Sequence, residues 1–206
     1  MNGLHDVDIV RVMLVKDIDS PYRSKQMRRP GDPASIAKEF LAGEDREVFI
    51  AINLDHSNKI NSIHIVAIGS SSAAIIEPRE VFKTAILSNA SFIIMAHNHP
   101  SGNPEPSPDD IKVTRQLFEC GKLLNIKILD HIIVGDGKYT SVRLEGGEIC
   151  LESRTFEDNQ RTNLRVTAAP SGGCEMSGTS FRDSWPRGSR GTEDRGDTSI
   201  HRPRRL

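Results

Sequence analysis

Residues 95–110 read MAHNHPSGNPEPSPDD. The apolar run 91–97 before the loop predicts a strand, and residues two apart in an extended segment project to one face. His97 and His99 can therefore share one ion. Beyond them Pro100, Gly102, Pro104 and Pro106 make a loop that joins neither helix nor ladder. Ser107 takes the N-cap of the helix that Pro108 opens. Asp110, three residues on, falls in the first turn and points back toward the loop mouth. Two neutral nitrogen donors and a carboxylate converge, which leaves a fourth tetrahedral position for water, as catalytic zinc sites require. Ser107-x-x-Asp110 equally fits a capping box at the positive end of a helix. A histidine pair at a strand end can also simply be solvated. The joint order of His-x-His, constrained loop, Ser and Asp favours the metal reading.

Working outward, residues 8–15 predict a strand. Asp32 as N-cap and Pro33 as first helical residue open a short helix through Ile36, Phe40 and Leu41 that stops at Gly43. Residues 48–54 and 60–68 are β-rich runs joined by the turn formers 55–58, a hairpin. Pro78 introduces a helix over 79–88 with Val81, Phe82, Ala85 and Ile86 as its apolar stripe. The helix beginning at Ser107-Pro108 turns Ile111, Leu117, Leu123 and Leu124 inward. A strand over 126–134, a turn at Asp136-Gly137 and a strand over 139–144 follow. Helices interleaved with hairpins predict an α/β sandwich with a mixed central sheet flanked by helices, rather than a regular βαβ series.

The chain has 206 residues, is 36% hydrophobic and has a net charge of -1, which suits one soluble domain with residues to spare. Charge gives no support to DNA association. Its apolar runs are too short to cross a bilayer, and the N-terminus lacks a signal-peptide pattern, so a cytoplasmic protein is expected. Cys120, Cys150 and Cys174 form no CxxC pair, which speaks against a disulfide framework or a cysteine zinc knuckle. Composition shifts near residue 150: all nine lysines precede it, and ten arginines with no lysine follow. Residues 151–206, with scattered Phe156, Leu164, Val166, Phe181 and Trp185, are expected to be a disordered Arg/Gly/Ser-rich tail. The terminal HRPRRL is a candidate nucleic-acid or partner arm, a reading weakened by Glu193, Asp194 and Asp197.

The pattern His97-x-His99, seven residues, Ser107, two residues, Asp110 is similar to the JAMM motif of the JAB/MPN metalloprotease superfamily. The stretches EPREVFKTAILSNASFIIMAHNHPSGNPEPSPDDI (77–111) and LDHIIVGDGKYTS (129–141) resemble the C-terminal domain of RadC proteins, which carry a DNA-repair label. The likeness covers about residues 35 to 145. It implies a JAB/MPN-like, cytidine-deaminase-like sandwich over 35–150, with zinc held by His97, His99 and Asp110. It also implies that Ser107 stabilises a tetrahedral intermediate and that Glu47, in DREVFIAINLD, is the general acid/base. From spacing alone Glu47 also reads as a solvated glutamate at a strand start. Two departures stand out. Residues 1–34, read as an N-terminal strand and linker, are too short for the helix-hairpin-helix-like region usual in RadC proteins. Glu77, in IIEPRE, stands where the family commonly has histidine.

The resemblance implies a JAMM-type zinc metallopeptidase or isopeptidase acting on a protein or peptide substrate. The alternative is a non-catalytic DNA-repair or mobile-element accessory protein, or a protein-binding MPN module. His97-Asn98-His99 spells HNH, but that nuclease disperses its residues over a ββα unit. The His-x-Glu and Pro-Cys-x-x-Cys of zinc deaminases are missing. Of the remaining candidates, Asp130-His131 reads either as support behind the ligands or, for the histidine, as a strand residue satisfied by its neighbours. His64 reads as structural or exposed, and Glu77 and Glu80 as acids at a helix N-terminus.

Overall fold

The computed structural model describes residues 12–15, 22, 25–29, 31–69 and 76–157. They form α1 (Asp32–Phe40), β1 (Val48–Leu54), β2 (Ile60–Ile68), α2 (Pro78–Leu87), β3 (Phe92–Asn98), α3 (Pro108–Leu124), β4 (Lys127–Val134), β5 (Lys138–Glu145) and β6 (Glu148–Thr155). β1 is buried at every position, and β3 and β4 at every position after the first. Such strands need cover on both faces of a sheet. They occupy the middle of a six-stranded sheet of order β2-β1-β3-β4-β5-β6. Only β3 and β4 pair in parallel, across the α3 connection; the other neighbours are antiparallel. This is the mixed α/β sandwich expected from the sequence.

α1 covers one face, with Ile36 packed among Ile50, Ile52, Ile94, Ile132 and Tyr139. α2 and α3 cover the other, where Val81, Phe82 and Leu117 meet Phe49, Met95 and Ile128. The β1–β2 hairpin spans the predicted residues, because Asp55 Oδ1 accepts the N–H groups of Ser57 (2.7 Å) and Lys59 (2.9 Å) and so closes the turn. The β3–β4 ladder contains one irregularity: Ile93 pairs with Ile128 but Ile94 pairs with Asp130, so Leu129 is skipped.

Several expectations are corrected. Residues 12–15 belong to no strand and Val12, Met13 and Val15 are exposed, while 8–11 lie outside the described residues. Gly31, not Asp32, is the N-cap of α1. Asp32 is already helical, and its carboxylate accepts the N–H groups of Arg28 and Arg29 (2.8 and 2.9 Å). Ile86 is 54% and Leu123 87% exposed. The buried stripe of α3 is Thr114, Leu117, Phe118 and Gly121, and Leu123 lies two positions off its phase. Leu124, also expected inward, is 46% exposed although it is in phase with the stripe, because the helix ends there at Asn125, left-handed at φ 54°.

The domain does not stop at residue 150. β6 pairs with β5 as far as Thr155, and buried Phe156 packs on Tyr139 with ring centroids 5.1 Å apart. The expected disorder from 158 onward, Cys174 and the HRPRRL arm lie outside the described residues. Cys120 is a free thiol. No helix among the described residues is long and apolar enough to cross a membrane.

Candidate metal centre

Alternation along β3 puts Ile93, Met95 and His97 on the face covered by α2 and α3. His97 is completely buried there, with Phe49 stacked on its ring at 5.8 Å. His99 lies just past the strand, but its N–H still bonds to Val134 O (2.9 Å), which prolongs the parallel ladder and keeps the ring on the same face. Asp110 arrives from the first turn of α3. Ser107 caps that helix as a full capping box, its Oγ accepting Asp110 N–H (3.1 Å) while Asp110 Oδ2 accepts Ser107 N–H (2.7 Å). The two Nε2 atoms are 3.0 Å apart, with Asp110 Oδ1 3.3 Å from His97 and Oδ2 3.5 Å from His99. One donor atom from each residue lies within 4.8 Å of the other two.

The intervening loop is moored to the β4–β5 turn. Gly102 adopts φ +79°, and its carbonyl accepts Asp136 N–H at 2.8 Å. A Cβ on Gly135 would sit 2.3 Å from that same carbonyl oxygen. Glycine is therefore required for the loop to lie this close.

Hydrogen bonding assigns the protons. Asn103 O lies 2.8 Å from His99 Nδ1, and a carbonyl only accepts, so Nδ1 carries the hydrogen and Nε2 faces the centre. Bare lone pairs 3.0 Å apart beside a carboxylate repel unless a cation, proton or metal, sits among them. The pKa directions agree. The hydrogen bond with Asp110 raises His99, against the effect of burial. Burial pushes the Asp110 carboxyl up, but bonds from His99 and Ser107 and the field of His97 outweigh it and hold it well below the usual carboxylate range. Burial, then the neighbouring His131, drives His97 down. Two imidazoles and a carboxylate form a donor set suited to zinc.

Glu47 immediately precedes β1. Alternation from Phe49 puts its side chain on the His97 face, where burial and then the charge of Asp110 raise its pKa while His99 opposes. Its backbone is held from both sides. Glu47 O accepts Gly69 N–H (2.7 Å), and the Asn98 side chain accepts Val48 N–H and donates to Arg46 O (both 2.8 Å). Ser107 Oγ–H points at Asp110 Oδ2, 2.6 Å away. His131, the strand histidine satisfied by its neighbours, has the ligand His97 as one of those neighbours: its Nε2 is 2.8 Å from His97 Nδ1 and its Nδ1 2.6 Å from Thr114 Oγ1. Burial pushes its pKa down to about 4. Asp130 faces the other way, bonded to Ser141 Oγ at 2.8 Å. His64 on β2 is half-buried and feels Lys83 and Glu80 rather than this centre. Glu77 pairs with Arg79 at the start of α2 (3.3 Å). Sequence reading missed Asn98 and Thr114. The signal for Thr114 was its place four residues after Asp110, on the same helix face.

A mixed sheet that brings a His-x-His strand end against an aspartate in the next helical turn defines an α/β domain of the JAB class. The chain belongs to the RadC-like JAB domain family, whose model matches residues 27–147. It is 45% identical over 120 residues to a UPF0758 protein of Desulforudis audaxviator (58% of this chain, 52% of the relative). A UPF0758 protein of Methanosarcina acetivorans is 50% identical over 129 residues (63% and 56%), and one of Bacillus pumilus 43% over 120 residues (58% and 54%). The chain spans about half the length of the curated relatives it matches.

Proposed function

We propose that the domain is a zinc-dependent hydrolase of peptide or isopeptide bonds, with His97, His99 and Asp110 holding the ion. The observation that carries this reading is the meeting of two Nε2 atoms and a carboxylate, all within 4.8 Å, beside a glutamate that is not among them. Bound zinc supplies Lewis acidity for water and for the scissile carbonyl. Glu47 takes the proton from water and passes it to the leaving amine, and its raised pKa suits both halves of that transfer. The Ser107 hydroxyl, 2.6 Å from Asp110 Oδ2, stands beside the residues that would hold the ion, where it would donate to the substrate oxyanion.

Metal analysis of the purified chain should find about one zinc per molecule, strongly reduced in His97→Ala and Asp110→Ala. Glu47→Gln should keep the zinc and lose at least about 100-fold in hydrolysis, measured on substrates identified by comparing the proteomes of cells holding wild-type and Glu47→Gln protein. Equal zinc in wild type and both ligand variants overturns the site. Loss of zinc in Glu47→Gln makes Glu47 a ligand and overturns its assigned role.

A further inference from the structure

The buried pair Thr114 and His131 takes no part in the chemistry above, yet it reaches one of the three donors. Thr114 Oγ1 lies 2.6 Å from the main-chain oxygen of Asp110 and 2.6 Å from His131 Nδ1, and His131 Nε2 lies 2.8 Å from His97 Nδ1. Thr114, His131 and His97 are each 0% exposed, so bulk water does not compete for these contacts. A threonine hydroxyl has one hydrogen, and a carbonyl oxygen only accepts. That hydrogen therefore goes to Asp110, and a hydroxyl lone pair faces His131. His131 Nδ1 must then carry a hydrogen. Its ring is neutral in so buried a place, so Nε2 is bare and accepts Nδ1–H from His97. His97 keeps a bare Nε2, aimed at His99 and Asp110.

We propose that Thr114 and His131 are positioning residues that set His97 as its Nδ1–H tautomer, so that its Nε2 lone pair faces the metal position before an ion arrives. The consequence for zinc rests on the hydrolase reading; the tautomer does not. Asp110 Oδ1, 3.3 Å from His97 Nε2, pulls the other way and favours a hydrogen on that nitrogen. The reversed chain would turn the Thr114 hydrogen to His131 and leave two oxygens 2.6 Å apart with none between them, the costlier arrangement at a buried site. Ligating histidines generally donate their second N–H to a carboxylate, carbonyl or water. His99 does so directly to Asn103. His97 does so through two side chains, and the chain ends on Asp110, whose own carboxylate shares the centre.

The test is long-range proton–nitrogen NMR of the full-length, metal-free chain, which distinguishes bare from protonated ring nitrogens. His97 should show hydrogen on Nδ1, Thr114→Ser should preserve it, and Thr114→Val should give a tautomer mixture. Competition with a chelating indicator should show Thr114→Val losing about 10- to 100-fold in zinc affinity, with Thr114→Ser close to wild type. Hydrogen on Nε2 in the wild-type chain overturns the proposal, and that measurement does not depend on any variant folding. A Thr114→Val chain with unchanged tautomer and zinc affinity also overturns it. The expected tautomers in a chain that binds no zinc leave the relay standing and overturn the hydrolase reading.

Discussion

Replacing Asn98 tests how Glu47 is held. The Asn98 amide accepts the buried N–H of Val48 and donates to the carbonyl of Arg46, both at 2.8 Å, just where the β1–β3 ladder ends at the Phe49–His97 pair. It does for residues 46–48 what another stretch of backbone would do. In Asn98→Ala the Val48 N–H stays buried without a partner, at a cost of about 1–3 kcal/mol, and the Arg46 carbonyl, nearer solvent, loses an ordinary bond of about 0.5–1.5 kcal/mol. A total of about 1.5–4.5 kcal/mol follows, tolerable in a domain whose stability is of order 5–15 kcal/mol. Asn98→Asp keeps the acceptor but sets a carboxylate oxygen against the Arg46 carbonyl, so it should cost at least as much near neutral pH. Urea unfolding at constant m-value reads the stability. Zinc content should hold, because no ligand is touched, while turnover should fall as Glu47 loses its mooring. An Asn98→Ala midpoint equal to wild type refutes the anchoring. A destabilised variant with full turnover refutes the link to Glu47.

Burial raises the Asp130 carboxyl to about 6. The fold thus favours its protonated form, so this contribution to stability is complete below the unfolded value of roughly 3.9 and is lost as pH rises through about 6, about 3 kcal/mol in all. Asp130→Asn should therefore gain on wild type by about that amount between pH 4 and pH 7 in paired urea titrations; parallel pH profiles exclude this. A chain ending at residue 150 lacks five of the eight β5–β6 residue pairs and Phe156. It should be at least about 3 kcal/mol less stable than one ending at 157, as for losing a buried phenylalanine, and equal melting curves would show that residues 151–157 do not stabilise the domain. Ser107→Ala removes the α3 cap and should cost about 1 kcal/mol, which thermal unfolding of the metal-free chain can check.

What the sequence disclosed was local. The β1–β2 hairpin follows from two β-rich runs and an Asp55 turn. His97, His99, Ser107 and Asp110 sit within fourteen residues, so strand alternation and helix phase suffice to bring them together. Asn98 and His131 act across the sheet. His97 meets His131 only through a parallel pairing 34 residues apart, and no short-range pattern encodes that register. β6 was hidden for another reason. It is a half-exposed edge strand rich in charge, and the exchange of lysine for arginine near residue 150 does not coincide with the end of the packed domain. Leu123 misled because residue type was weighed over helical phase.

The skipped Leu129 governs more than local shape. Before it, even-numbered Ile128 lies with α2 and α3; after it, even-numbered Ile132 and Val134 lie with α1. The parity of β4 is inverted at that one residue. Counted without the skip, Asp130 would fall opposite Met95, delivering a carboxylate to the back of His97, and His131 would turn into the apolar layer under α1. Pairing Leu129 regularly with Ile94 would therefore exchange the acid and the imidazole while altering neither, whereas deleting Leu129 would remove the skip and leave both on their present faces. Register in this segment is thus as strict a requirement as residue identity, because the same letters paired one position earlier would take the imidazole away from His97.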